Sequence, residues 1–442
     1  MGGLAFSSEP YGLYTPRMPP AVYRRVRAMV HAALREVFVY VATPIEGPSK
    51  ADHGDVDVLV ALEKQLAFPN TPGDHLAQPA ALQDLRSTIK NVLHAEHVIV
   101  NGPSVSMAIP WLSSYGEADG VNGDARSPYI QVDVRICRDV DKLSWVLFKH
   151  AHGDIWNLVG STIRPFGLTV EEEAMWLRIP EIEALDRKKA RVFLTNDPAE
   201  VLHFLGMKAE GFWEEPFASV DALFEYAATC RLFRVRMEAS HDNADANAGP
   251  GLVGGEEGRK QMKHNDRQRM RFRPVYQKWN DEFIPRLRAE GRFMHEDEED
   301  GQGQDNTTTD TRVRDRVRKE AFERFPHAEK DYRDRLREWR LKRQSDEVWR
   351  STIKGSIPTD LDPQYRSCLA GALKKIIMGD DMSFGIAPPT PLRTPDGFYD
   401  EDAIRAFIQE HWQVLGLIAL KRQHEKMAEA MQQQKKRKAS PP

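Results

Sequence analysis

Short apolar stretches within the first 140 residues predict several β-strands. Residues 37–41 form a β-branched apolar run that is typical of a buried strand. In residues 55–60 valines alternate with Asp55, Asp57 and Leu59, and residues 129–137 show a second such alternation. Residues 97–110 are predicted to form a hairpin between them.

Helical periodicity surrounds these strands. Residues 19–36 follow a Pro-Pro pair and place Val22, Val26 and Val30 on one stripe. Residues 79–94 are predicted to form a second helix, and residues 139–165 two more that break near Gly153. The pattern predicts an α/β fold with a small mixed β-sheet and flanking helices.

The remaining sequence predicts a mostly helical C-terminal region joined by linkers. Residues 180–236 mix helices with short strands and complete a domain over residues 19–236. Two polar stretches, 239–258 and 295–311, are predicted to be disordered. The other predicted segments are a basic helical segment at 259–293, a helical region at 312–431 that begins with a charged helix over 312–345, and a basic tail at 432–442.

Composition narrows the class of protein. The chain has 442 residues, with 62 Lys and Arg against 66 Asp and Glu, so it is not a polycation overall. Its 3 cysteines are far apart in sequence, which argues against a disulfide framework and suits a reducing compartment. No apolar run reaches membrane-spanning length. We expect a soluble intracellular protein with no membrane partner and unknown oligomeric state, and the Lys435–Lys438 run resembles a nuclear import signal.

The strongest chemical signal is Gly54-Asp55-Val56-Asp57-Val58. Side chains two apart on a strand point the same way, so Asp55 and Asp57 share a face. Two neighbouring carboxylates repel each other unless a cation neutralises them, and Mg²⁺ or Mn²⁺ prefers such oxygen ligands. The pair therefore predicts a metal site.

A third carboxylate strengthens this interpretation. Asp133 stands alone among alternating apolar residues of the later strand, facing away from the predicted core together with Gln131 and Arg135. The alternative is that all three aspartates are solvated residues on a strand face. Two further Asp-x-Asp pairs, at 139–141 and 360–362, are predicted to be helix-entry and turn residues.

With these residues in place, the chain resembles the DNA polymerase β-like nucleotidyltransferase superfamily, in particular its smaller phage and bacterial members. The resemblance covers about residues 20–290. It rests on the Asp55-x-Asp57 strand and Asp133, and more loosely on 153–168, 192–206 and 267–274. It implies metal-dependent transfer of a nucleotide from an NTP to an unknown acceptor, for which RNA is a candidate, with Asp55, Asp57 and Asp133 holding Mg²⁺ or Mn²⁺.

The chain departs from this superfamily at the end of its first strand. The family usually has Gly-Ser there, where the backbone and hydroxyl hold the triphosphate, whereas this chain has Ala42-Thr43. Thr43 keeps a hydroxyl and Lys50 supplies a candidate phosphate contact, but the Ala42 methyl crowds the backbone approach. The alternative function is a catalytically inactive module of the same fold that binds nucleic acid or protein.

A basic stretch is the candidate nucleic-acid surface. Arginines alternate with other residues before Pro274, at Arg267, Arg269, Arg271 and Arg273. If Pro274 keeps them extended, alternate arginines share a face and bind phosphates. The alternative is an amphipathic helix that packs on the catalytic domain.

Overall fold

The computed structural model describes residues 3–64, 82–112, 127–235, 264–293 and 306–439. The predicted linker at 239–258 lies outside these residues. The chain divides into two compact units, Met1–Glu329 and Lys330–Pro442. The first contains all the predicted site residues.

A five-stranded mixed sheet forms the centre of the first unit, in the order β1-β2-β5-β4-β3. Only β2 and β5 run parallel; the other neighbours are antiparallel. The predicted strands and hairpin are confirmed. The strands are β1 (Phe38–Ala42), β2 (Asp55–Glu63), β3 (His97–Asn101), β4 (Ser104–Pro110) and β5 (Tyr129–Ile136).

Two helices cover one face of this sheet. Helix α1 (Pro20–Val37) begins with proline in its first turn and buries Val22, Val26, Val30 and Leu34 along one stripe. These residues share a core with the inward valines of β2 and β5 and with α2 (Leu82–Val92). Burial of this apolar stripe, more than helix propensity, holds α1 on the sheet.

The opposite face of β2 is apolar at one end and acidic at the other. Leu59 and Ala61 pack with Leu143 and Val146 of helix α3 (Val140–His150). Asp55 and Asp57 lie beyond this packing, towards the start of the strand. The sheet thus presents carboxylates where α3 no longer covers it.

Further elements extend the first unit beyond the sheet. A second, three-stranded antiparallel sheet consists of β6 (Leu168–Val170), β7 (Met175–Arg178) and β8 (Arg191–Thr195). The described residues of the unit also form further helices: α4 (Ile155–Ile163), α5 (Pro180–Glu183), α6 (Pro198–Phe204), α7 (Val220–Ala228), α8 (His264–Phe272), α9 (Pro274–Lys278) and α10 (Ile284–Ala289). A 3-10 turn at Arg164–Phe166 follows α4, and a π-helical turn at Trp279–Phe283 joins α9 to α10. The last helix that lies wholly within the unit is α11 (Asn306–Arg324).

The charged helix predicted over 312–345 is two helices. Helix α11 begins at Asn306, within the stretch predicted as a linker, and ends at Arg324. Helix α12 (Pro326–Glu347) follows. Pro326 lacks a backbone N–H and disfavours helical conformation in the residue before it, which separates the two helices.

The second unit is helical, as predicted for this region. It contains most of α12, the π-helical turn Val348–Ile353, α13 (Pro363–Gly379), a 3-10 turn at Met382–Phe384 and α14 (Glu401–Ala439). The basic residues near the chain end continue α14. In the described part of the chain, none of the helices is both long and apolar enough to cross a membrane.

Candidate active site

Two neighbouring strands bring the predicted carboxylates together. In the parallel register of β2 and β5, Asp57 lies opposite Asp133, and Asp55 lies opposite Gln131. Adjacent strands are about 4.8 Å apart, and residues two apart share a face. The three aspartates therefore lie on one face of the sheet, as the alternation predicted. The other Asp-x-Asp pairs serve helices: Asp139 caps α3 and Asp362 caps α13.

The acid–base behaviour of Asp57 reflects this crowding. Its pKa is raised from 3.8 to about 7, chiefly by burial among protein atoms and then by the charges of Asp55 and Asp133, while Lys50 acts in the opposite direction. The Asp57 side chain is nevertheless exposed to solvent. A small charged ligand can therefore reach the Asp57 carboxyl from solvent.

Asp133 is the more enclosed carboxylate. Burial raises its pKa, although hydrogen bonds with Ser106 and Gln131 oppose the rise. Gln131 Nε2 donates to Asp133 Oδ2 at 2.9 Å, whereas Oδ1 is buried without a hydrogen-bond partner in the described part of the chain. An unpartnered carboxylate oxygen beside two more carboxylates fits a hard divalent cation.

The described side chains do not yet converge as metal ligands. Among the described residues, no three His, Cys, Asp or Glu side chains are arranged to hold an ion as they stand. One reason is that Asp55 Oδ2 accepts a hydrogen bond from the backbone N–H of Gly3 at 3.0 Å. Asp133 Oδ2 is likewise occupied by Gln131. The carboxylates share a face, but their oxygens serve other partners.

The Ala42-Thr43 turn stands next to the carboxylates. Ala42 ends β1 and pairs with Leu59 of β2. The Thr43 hydroxyl donates to the backbone carbonyl of Asp57 at 2.9 Å. The hydroxyl predicted to hold a triphosphate thus fastens the end of β1 to the Asp-x-Asp strand.

His31 completes this connection, although no pattern in the sequence points to it. Its Nε2 lies 2.7 Å from Thr43 Oγ1. Since Thr43 donates its one proton to the Asp57 carbonyl, His31 acts as the donor to Thr43. Burial lowers the pKa of His31 to about 4, with Arg35 and Arg27 adding to the effect, so the ring is neutral at pH 7.

Lys50 lies close enough to the carboxylates to influence them. It is exposed on the loop between β1 and β2, and its charge reaches Asp57. The same loop is anchored where the Ile45 carbonyl accepts the His152 N–H at 2.7 Å. Lys50 is thus exposed to solvent within electrostatic reach of Asp57.

The arginines predicted to bind RNA belong mainly to a helix. They are Arg267, Arg269, Arg271 and Arg273. The first three lie in α8 and only Arg273 is extended, so the structure has the helical alternative: Pro274 affects only the residue before it. Arg269 Nε donates to Asn157 Oδ1 at 3.1 Å, and Arg273 pairs with Asp154. The other two arginines have exposed side chains.

A basic strip joins these helices to the carboxylate strand. Arg135 follows Asp133 by two residues, and its charge affects His150. Burial lowers the pKa of His150 and of Lys149, and Lys149 is affected by the charges of Arg269 and Arg273. We call Arg135, Lys149, Arg269 and Arg273 the basic strip; the lowered pKa of His150 leaves that ring neutral at pH 7. Strand alternation is enough to place Arg135 on the same face as Asp133. The position of Lys149 and His150 on α3 near Arg135 becomes apparent only in the folded structure.

Acidic residues of the β6–β7 turn partly neutralise the basic strip. Glu172 pairs with Arg135 at 3.4 Å, and both Glu172 and Glu171 oppose the lowered pKa of Lys149. The Glu172 side chain is 60% exposed, so its ion pair is weak and replaceable.

Comparisons with known proteins find similarity among solved structures only. No protein-family model matches the chain, and no curated protein matches it. Among solved structures, the chain is similar to Leishmania infantum polymerase β in a ternary P/T complex, at 15% identity, covering 43% of this chain and 74% of that chain, with a TM-score of 0.30. The likeness is distant and carries no functional argument.

Proposed function

We propose that the chain is a metal-dependent nucleotidyltransferase that moves a nucleotide from an NTP to an acceptor. The observation that carries the proposal is the placement of Asp57 opposite Asp133, with Asp55 on the same face. Three carboxylates on one face of the sheet cost free energy in the absence of a cation, and burial together with the charges of Asp55 and Asp133 raises the pKa of Asp57. A fold keeps such a cost where function requires it.

Asp55, Asp57 and Asp133 would hold Mg²⁺ or Mn²⁺, which would neutralise the triphosphate and activate an acceptor hydroxyl. In the transfer, a bond forms between the acceptor oxygen and the α-phosphorus, and the bond to the departing pyrophosphate breaks. The hydroxyl proton leaves to solvent or to a carboxylate. Lys50 and Arg135 flank the carboxylates and would attract the phosphates.

The acceptor proposed for the basic strip is a polyanion, RNA. The strip extends from Arg135, beside Asp133, through α3 to Arg269 and Arg273. Its acidic partner Glu172 is exposed, so phosphates can displace it at modest cost. This continuity between the carboxylates and the basic helices supports a path for a phosphate backbone.

The alternative is an inactive module that binds nucleic acid or protein. The Thr43 contacts favour it, because its hydroxyl is engaged by His31 and by the Asp57 carbonyl rather than being left for a triphosphate. An inactive module would retain the basic strip and bind RNA without transferring nucleotides.

A transfer assay separates these functions. The full chain is incubated with α-labelled NTPs, total RNA and Mg²⁺ or Mn²⁺. We expect label in RNA, lost by at least 100-fold in Asp55→Ala and Asp57→Ala. Asp141→Asn removes an exposed acid from another Asp-x-Asp pair and should retain wild-type transfer. Equal transfer by a folded Asp55→Ala/Asp57→Ala double variant would refute the proposal.

A further inference from the structure

The segment before α1 crosses the carboxylate face of the sheet. We call residues 3–18 the arm. The Gly3 N–H donates to Asp55 Oδ2 at 3.0 Å, and the Ala5 N–H donates to Gln131 Oε1 at 2.9 Å. Gln131 in turn donates to Asp133. The arm therefore contacts one carboxylate directly and a second through Gln131.

The arm is anchored at several points. Phe6 is 0% exposed, and its ring meets Tyr11 edge-on at 5.4 Å between centroids. The Thr15 hydroxyl donates to the Gly3 carbonyl at 2.7 Å. Met18 and His53 exchange backbone hydrogen bonds of 2.7 and 2.9 Å just before the Asp-x-Asp strand. These contacts hold Gly3 in position at Asp55.

Glycine is required at residue 3. Its φ is +83°, in the left-handed region that favours glycine, and an added Cβ would lie 2.1 Å from the Gly54 carbonyl oxygen. The clash is with backbone, so no side chain can rotate to relieve it. Gly12 also has positive φ, at +55°, but an added Cβ would meet nothing within 4 Å.

We propose that the arm is an autoinhibitory element that must leave Asp55 before the carboxylates can bind a divalent cation. The inference rests on the proposed function. A backbone N–H directs its positive end at the carboxylate oxygen, which both occupies a ligand position and repels a cation. The apparent affinity for the cation then equals the intrinsic affinity of the open site multiplied by the fraction of molecules in which the arm is displaced.

The hydrogen bonds of the arm also explain why the oxygens of Asp55 and Asp133 do not converge as metal ligands in this structure. Asp55 Oδ2 and Asp133 Oδ2 each accept an internal hydrogen bond, and the two donors, Gly3 and Gln131, belong to one chain of contacts through Ala5. Displacing the arm frees Asp55 and removes the partner that fixes the Gln131 carbonyl group. Gln131 can then turn away from Asp133.

The test measures Mn²⁺ binding by titration calorimetry with the full chain. Gly3→Ala should dislodge the start of the arm and tighten Mn²⁺ binding at least tenfold relative to wild type. Gly12→Ala is the matched control, and its affinity should stay within threefold of wild type. Phe6→Ala removes the main apolar anchor and should act in the same direction as Gly3→Ala.

Hydrogen exchange of residues 4–8 gives a second readout that does not depend on transfer. Mn²⁺ should speed exchange there in wild type, whereas exchange should already be fast in Gly3→Ala. Wild-type Mn²⁺ affinity in both Gly3→Ala and Phe6→Ala, with residues 4–8 exchanging rapidly, would overturn the autoinhibitory role alone. Absence of Mn²⁺ binding in these arm-displaced variants would overturn both this inference and the proposed cation site.

Discussion

At the scale of single residues, Asp57 is subject to opposing effects. Its position on β2 is fixed by the apolar residues beside it, Val56 and Val58, which are buried in the core. Burial of its carboxyl, together with the charges of Asp55 and Asp133 beside it, raises its pKa to about 7. The fold thus holds an acid where its ionised form is disfavoured.

The first prediction concerns Asp57→Asn. Between pH 3.8 and about 7 the folded state binds a proton that the unfolded state has released, so the free energy of unfolding falls as pH rises through this window. Because asparagine does not ionise, the variant does not show this fall in the free energy of unfolding. Without added metal, Asp57→Asn should melt higher than wild type above pH 7, and the difference should shrink toward pH 4.

Thermal melting from pH 4 to 8.5 checks this, with Asp141→Asn as the control for loss of an exposed acid. Millimolar Mn²⁺ should raise the melting temperature of wild type more than that of Asp57→Asn. A melting difference that is the same at every pH would show that Asp57 is not held in a repulsive cluster.

At the scale of elements, the junction of α1, β1 and β2 positions the carboxylates. The prediction is that Thr43→Val lowers the free energy of unfolding by about 0.5–1.5 kcal/mol, because it removes the hydrogen bonds to His31 and to the Asp57 carbonyl. Thr43→Ser keeps the hydroxyl and should be close to wild type. Urea unfolding gives the free energies.

The same variants test the triphosphate turn. If Thr43 also supports NTP binding, Thr43→Val should weaken NTP affinity, whereas Ala42→Gly should leave it intact or tighten it. Equal NTP affinities for wild type and Thr43→Val would limit Thr43 to its structural role.

The basic strip gives the second element-scale prediction. The double variant Arg135→Gln/Lys149→Gln should bind RNA more weakly, and its dependence on log salt should flatten by about 0.7 for each lost phosphate contact. Arg24→Gln, an exposed arginine on the helix of the opposite sheet face, should not change the salt dependence. RNA binding that is unaffected by the double variant would place the acceptor elsewhere.

Alternation and periodicity predicted the sheet well because local sequence determines which face of a strand is apolar. Since Val56, Val58 and Val60 face the core, Asp55 and Asp57 must share the opposite face of the strand. The arm was not predictable, since its contacts to Asp55 and Gln131 span 52 and 126 residues and its sequence has no periodicity. The start of α11 was not predictable either, because the asparagine and threonines that begin this helix have low helix propensity.

At the scale of the whole molecule, the first unit is larger than the domain predicted over residues 19–236. It extends to Glu329, so both the basic helices and α11 belong to it. Val317 and Ala321 of α11 are fully buried. Packing far from the carboxylates thus completes the unit that carries them.

This packing gives a prediction for α11. Arg314 donates to the Arg178 carbonyl at 3.2 Å and to Glu183 at 2.8 Å, so Arg314→Ala should cost about 1.5–3 kcal/mol in urea unfolding. Arg316 on the same helix is mostly exposed and pairs only locally with Glu320 at 3.8 Å. Arg316→Ala should cost less than about 1 kcal/mol. Equal losses for the two variants would mean that α11 is not held by Arg314.

The central claim is that Asp55, Asp57 and Asp133 form one cation site for an NTP. The most direct measurement is a crystal structure with Mn²⁺ and a non-hydrolysable NTP, using anomalous scattering to locate manganese. The account predicts manganese bound by both Asp57 and Asp133, with the triphosphate attached and Gly3 no longer on Asp55. A triphosphate bound elsewhere, with no manganese at these three carboxylates, would contradict it.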